Sequence, residues 1–197
     1  MAERTHRLEE GIPLIVVIAG TNRPDSNTSR VARAAEALLA AEGAEVERLE
    51  LIDLPAELFD PNCYGKKPES FAPFQDAITR ATGVLSVVPE YNGSFPGIMK
   101  YFIDMLKFPE SLKGVPAAFI GLGSGEWGGL RGVEQLEMVF QYRSAHLFGR
   151  RVFLKHIQKL LGEDGSIADE SARERLQTQA REFVAFCAAA QNLTPRD

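Results

Sequence analysis

The segment Gly20-Thr21-Asn22-Arg23-Pro24-Asp25-Ser26-Asn27-Thr28 follows directly on the apolar run from Pro13 to Ala19. Thr21, Ser26, Asn27 and Thr28 can donate hydrogen bonds, and Arg23 adds a planar, permanently charged donor. The helix read after them begins with unpaired backbone N–H groups and the positive end of its dipole. That combination suits a terminal phosphate. A helix cap needs a single hydroxyl, and this loop has several. It lacks the Gly-Lys-Ser/Thr ending of a Walker loop, which leaves a triphosphatase without its lysine.

A second segment, Pro89-Glu90-Tyr91-Asn92-Gly93-Ser94, follows the apolar run from Val84 to Val88. Pro89 removes a ladder donor and frees the backbone to turn outward. Asn92-Gly93 tolerates positive φ, which points several N–H groups in one direction. Such donors suit the pyrimidine edge of an isoalloxazine and stabilise its anionic reduced form, with Tyr91 packed near the ring. A phosphate loop and a heterocycle turn, each ending a strand, together predict a flavin site. Nothing downstream reads as a place for an adenosine half, so FMN is expected rather than FAD.

A third segment, Gly123-Ser124-Gly125-Glu126-Trp127-Gly128, matches G-x-G-x-x-G between a strand and a helix. A dinucleotide unit needs an acidic residue at the end of the following strand to hold the ribose, and that strand ends in Lys155-His156. Gly123, Ser124 and Gly125 are therefore read as a flexible loop whose backbone flanks the flavin. Trp127 either covers the site or packs in a subunit interface. Hydrolysis has no support: there is no G-x-S-x-G elbow. His146 reads as a helix C-terminal residue, and Glu134 and Glu137 as a solvated face. No catalytic side chain and no metal ligand is assigned.

The elements that would carry these loops alternate in type. Leu14 to Ile18, Val84 to Val88 and Val115 to Leu122 are continuous apolar runs, the mark of parallel strands buried on both faces. Glu45 to Leu51 alternates and reads as a half-exposed edge strand, and Arg151 to Ile157 as a fifth strand. Helices are expected over 29–42, 71–82 and 97–108, then from the glycine-rich loop to near Phe148, and over 169–191. Pro55 to Pro73 reads as a long surface loop. Strand alternating with helix predicts an α/β fold, a parallel sheet covered on both faces. The chain reads as one domain, 1–197, with residues 1–11 as a disordered tail. In such a sheet ligands bind outside the carboxyl ends of the strands, where strand order reverses, and all three loops fall at that edge. The helix from Gly97 is apolar on much of its circumference, with Ile98, Met99, Tyr101, Phe102, Ile103, Met105, Leu106 and Phe108. It predicts a subunit interface in which Met105 is an exposed apolar position.

The bulk properties allow this reading. The chain has 197 residues, 45% of them hydrophobic, and a formal charge of −5. The one dense basic cluster is Arg150-Arg151 with Lys155, so nucleic acid is not an expected partner. Cys63 and Cys187 lie far apart with no C-x-x-C or metal spacing, which favours reduced thiols in a cytoplasm. Met1 to Glu10 lacks the apolar core of a signal peptide. No apolar stretch reaches the ~18 residues of a membrane span, so no membrane partner is expected.

From about Leu14 to Ala168 the chain resembles the NADPH-dependent FMN reductase family of flavodoxin-like quinone, chromate and azo-dye reductases. The resemblance is carried by Gly20-Thr21-Asn22-Arg23 with Ser26, by Pro89 through Gly97 with Lys100 and Asp104, and by the Gly/Ser loop at Gly123 to Gly129. It implies a flavodoxin-like three-layer sandwich with a five-stranded parallel sheet. It also implies an FMN phosphate held by Thr21, Arg23, Ser26 and Thr28 with Asn27 beside them, an isoalloxazine lined by Pro89, Glu90, Tyr91, Asn92 and Gly93, and Gly123 to Gly125 closing its other side. Two departures stand out: Thr28 replaces a usual asparagine, and Tyr101 and Met105 replace a common asparagine and tryptophan. The family implies a homodimer or homotetramer and ping-pong chemistry, in which NADPH or NADH reduces FMN and the flavin reduces a quinone, free flavin or similar small acceptor. The competing expectations are a flavodoxin-type electron carrier, which tends to be strongly acidic, and a flavin-free scaffold on the same fold.

Overall fold

Side chains of Leu14–Ala19, strand β1, alternate between two cores. Val16 and Ile18 pack on one face of the sheet, and Ile15, Val17 and Ala19 on the other. A strand apolar at every position is explained by burial on both sides. A computed structural model describes residues 11–190, and the tail expected over residues 1–11 falls almost wholly outside them.

The chain runs from β1 through helix α1 (Asn27–Ala41), β2 (Glu45–Glu50), α2 (Ala72–Arg80) and β3 (Gly83–Pro89) to α3 (Gly97–Met105). It continues with β4 (Pro116–Leu122), α4 (Leu130–Tyr142), β5 (His146–Leu147), β6 (Val152–Leu154) and α5 (Glu170–Ala190). All pairings are parallel, in the order β2-β1-β3-β4-β5, with β6 also on β4. Helices α2, α3 and α4 cover one face, and α1 and α5 the other. β2 is the half-exposed edge. Gly83 is required on β3, because a Cβ there would lie 2.4 Å from Cys187 Sγ. Both cysteines are free and buried, and burial pushes the Cys187 thiol up. Among the described residues no helix is long and apolar enough to cross a membrane.

Several expected boundaries shift. The fifth strand is not one run over 151–157 but two short pieces, β5 at Pro116–Ala117 and β6 at Ile120–Leu122 of β4. Across the gap the buried Gln179 of α5 donates to the carbonyls of Phe119 (2.9 Å) and Arg150 (2.8 Å), so a side chain completes the ladder. α4 stops at Tyr142, not near Phe148. Ser144 takes φ +59°, with Ser144 N–H donating to Gln141 and Ala145 N–H to Phe140. This Schellman-type ending normally uses glycine, and His146 therefore lies in β5, not at a helix end. α3 ends at Met105 because Leu106 is extended. Arg143 caps it by donating to the carbonyls of Ile103 and Lys107. Residues 55–73 form short 3₁₀ turns rather than a bare surface loop, burying Leu58, Cys63 and Phe71.

Candidate functional site

Strand order reverses between β1 and β3, so the segments after these two strands border one crevice. They are joined directly. Thr21 Oγ1 and the Tyr91 hydroxyl share a hydrogen bond of 2.6 Å, and Thr21 Oγ1 also accepts from Arg23 N–H. Thr21 is buried, and its hydroxyl links the two loops instead of facing solvent. Gly20 passes beneath this contact, where a Cβ would meet the Val87 carbonyl oxygen at 2.8 Å and Met99 at 2.9 Å.

Beyond Thr21 the first loop opens to solvent. Ser26 is the N-cap of α1, accepting from Ser29 N–H at 3.0 Å. Its own hydroxyl hydrogen remains available, since the cap uses only a lone pair. Asn27 and Thr28 occupy the first helical positions, and their N–H groups make no hydrogen bond to another described residue. Thr28 is buried over most of its surface, and its hydroxyl makes no hydrogen bond to another described residue. Arg23 is exposed, and among the described residues its guanidinium has no ion pair or hydrogen bond. The loop thus presents a free cation, two unpaired amides and the positive end of a 15-residue helix, which together attract an anion.

The second segment is a tight turn. Tyr91 and Ser94 exchange backbone hydrogen bonds of 2.8 and 3.1 Å, with Asn92 at φ +53° and Gly93 at φ +76°. The positive φ values are those the Asn-Gly pair predicts. Gln135 of α4, which sequence reasoning passed over, clamps the turn. It donates to the Gly93 carbonyl at 2.9 Å and accepts from the Ser94 hydroxyl at 2.7 Å. Pro89 ends β3 opposite Leu122. Glu90 lies 3.5 Å from Arg131, while its Oε2 is buried and without a hydrogen-bond partner among the described residues. An orphaned carboxylate oxygen lacks a donor, and an N–H on the edge of a planar ligand would supply one. Asn22, Tyr91, Ile98, Tyr101 and Phe59 line an open hollow of about 330 Å³ beside the turn.

The third loop continues β4 and is held rather than flexible. Gly129 has φ +87°, and a Cβ there would lie 2.5 Å from Leu122 N. Gly128 is packed as closely against Leu154 and Lys155. Gly123 N–H donates to Leu154 and Ile157 N–H to the Gly123 carbonyl. Ser124 and Gly125 stay exposed, with the Ser124 hydroxyl accepting from Gln158 at 2.6 Å. Trp127 is exposed under the Arg131 guanidinium, 5.6 Å from its ring centre. The Glu126 carboxyl is held below the usual carboxylate range by hydrogen bonds from His156 and then Lys155. Glu137 is not on a solvated face. It is mostly buried and paired with Arg151 at 3.1 Å, and burial raises its carboxyl. The basic cluster is likewise neutralised, with Arg150 on Glu182 and Lys155 on Glu126.

Known proteins resemble this chain in sequence and in fold. The chain is 30% identical over 176 residues to a 2-hydroxy-1,4-benzoquinone reductase of a Burkholderia species, spanning 87% of this chain and 94% of the relative. Its structure superposes on FerB, a flavoenzyme NAD(P)H:(acceptor) oxidoreductase from Paracoccus denitrificans. The TM-score is 0.76 at 25% identity, over 89% of this chain and 97% of that one. An archaeal flavodoxin matches at TM-score 0.59 and 12% identity, over 88% and 97% of the two chains, a likeness of fold alone. Residues 13–159 run from the start of β1 past the end of β6, carry all three loops and match the NADPH-dependent FMN reductase family, to which this chain belongs.

Proposed function

We propose that this flavodoxin-like reductase is a single domain that passes reducing equivalents from NADPH or NADH through FMN to a small quinone-like acceptor, in the cytoplasm. FMN, when bound, supplies the hydride-accepting ring, which leaves the protein to hold, orient and polarise it. In this reading Arg23, the Ser26 hydroxyl and the amides of Asn27 and Thr28 hold the terminal phosphate. Thr21 fixes Tyr91. Pro89, Glu90, Tyr91, Asn92 and Gly93 line one side of the isoalloxazine, and Gly123, Ser124 and Gly125 the other. The observation that carries the reading is the pairing of a free anion cradle at α1 with the partnerless Glu90 Oε2 across the same crevice. The first matches a phosphate and the second a ring N–H.

The test is the purified protein itself. It is expected to be yellow, or to turn yellow on adding FMN, to release FMN by mass spectrometry and to oxidise NADPH when a benzoquinone is present. A colourless protein that takes up no FMN, or one that releases FAD, would overturn the proposal.

The assembly we propose is a homodimer or a homotetramer. Met105 is buried, so the interface expected from α3 does not run through it. Among the exposed apolar side chains, Phe108 (60%), Met138 (68%) and Tyr142 (77%) gather beside α4 and the end of α3. Phe108 stacks on Tyr142, and both border a groove of about 570 Å³ between α3 and α4. A patch of this kind marks an interface, and α3 starts directly after the Tyr91–Ser94 turn, so a partner here would border the flavin. Met138→Asp is expected to shift the assembly toward monomer and to lower turnover with it. Light scattering that shows a wild-type monomer with full reductase activity would refute this arrangement.

A further inference from the structure

His156 makes contacts that neither the fold nor the flavin reading requires. It lies two residues past the end of β6 and adopts φ +48°, a left-handed conformation uncommon outside glycine, for which histidine is among the better-suited side chains. Its Nδ1 lies 2.9 Å from the Ser124 carbonyl oxygen, and its Nε2 lies 2.7 Å from Glu126 Oε1. A carbonyl oxygen and an ionised carboxylate can only accept. A neutral imidazole has one N–H, so it can serve one of these partners while turning a lone pair toward the other. Only the imidazolium donates to both.

The charged groups around the ring are Glu126, from the glycine-rich loop, and Lys155, which binds the second Glu126 oxygen at 3.3 Å. Ser124 and Gln158 complete the surroundings without titrating. Backbone hydrogen bonds also tie Ile157 to Gly123 and His156 to Gly125, and these do not need the imidazole.

We propose that His156 is a positioning residue, whose imidazolium latches Ser124 and Glu126 to the end of β6 and so sets the Gly123–Gly125 wall of the cofactor site. The inference rests on reading that loop as a flavin wall. A neutral ring reaches only one of the two oxygens by donation, so the latch closes only when both nitrogens carry hydrogen.

Hydrogen exchange of amides 123–129 in the full chain, corrected for intrinsic rates, measures the latch without flavin. His156→Asn keeps a residue that tolerates left-handed backbone and is expected to lower the protection of these amides about fivefold, the scale of a partly exposed ion pair. Glu126→Gln, which removes the carboxylate but not the loop's backbone bonds, is expected to lower it too, and the double variant to lose less than the sum of the two. The FMN dissociation constant is expected to rise about fivefold in His156→Asn. Wild-type protection in His156→Asn, or additive losses in the double variant, would overturn the latch and leave the cofactor site intact. Lower protection without weaker FMN binding would overturn its positioning role. Failure of the wild type to take up FMN would defeat the cofactor reading, while the exchange data on the flavin-free chain still decide the latch.

Discussion

Arg23→Ala is expected to weaken FMN binding by about 1.5–3 kcal/mol, the range for hydrogen bonds to a charged group. That is roughly a tenfold to hundredfold rise in the dissociation constant. The guanidinium is exposed and without a partner among the described residues, so its removal breaks no contact with them and leaves folding stability nearly unchanged. The loss should therefore appear in affinity and not in the melting temperature. Arg23→Lys should recover only part of it, because an ammonium keeps the charge but lacks the planar fork that matches phosphate oxygens. The remaining amides of Asn27 and Thr28 and the α1 dipole keep some affinity in both variants. Fluorescence titration of the apoprotein with FMN decides the matter. An unchanged dissociation constant in both variants would make Arg23 an ordinary surface residue and move the phosphate elsewhere.

Gly129→Ala is expected to destabilise the fold by on the order of 3 kcal/mol, from left-handed strain and overpacking acting at the same atom. Gly129 has φ +87°, and the added methyl would lie 2.5 Å from Leu122 N and 2.9 Å from Gly121 Cα. Those neighbours are backbone of the buried strand β4, so no side chain can swing aside. Either the loop lifts from the strand or the end of β4 moves, and both disturb the region between Leu122 and Gly125. Gly125→Ala is the control. Its φ is not left-handed, and a Cβ there meets nothing within 4 Å. Chemical denaturation should show a lowered midpoint for Gly129→Ala and almost none for Gly125→Ala. Equal stability in the two would mean that the loop is free to shift, against the packing described above.

How much of this was legible before the fold was known depends on where the signal lay. Alternating strand and helix, the three central strands and the edge strand are local patterns, since burial on both faces demands an unbroken apolar run and an edge does not. The Asn92-Gly93 turn is also local, because few residue pairs accept two positive φ values in succession. Ends of elements were less legible. α4 closes on Ser144 where a glycine would have marked the stop. α3 closes on a guanidinium delivered from α4, and the fifth strand is interrupted where Gln179 arrives from another helix. None of these partners is near in sequence. Met105 illustrates the same limit: its type is apolar whichever way it faces, and only packing against the sheet assigns it to the core.

For the site, residue types alone determined that a hydroxyl-rich, arginine-bearing loop and a Pro-Glu-Tyr-Asn-Gly turn each end a strand, because hydrogen-bonding capacity and backbone preference belong to single residues. The roles within those loops were decided only by the tertiary structure. Thr21 was one hydrogen-bonding side chain among four until Tyr91, 70 positions away, took it up. Ser26 became the N-cap of α1, accepting from Ser29 N–H. Gln135 and His156 carry no motif at all, yet one clamps the turn and the other grips the glycine loop. A hydrogen bond needs two partners at about 3 Å. A sequence names the donors and acceptors, and only the folded sheet brings them within that distance.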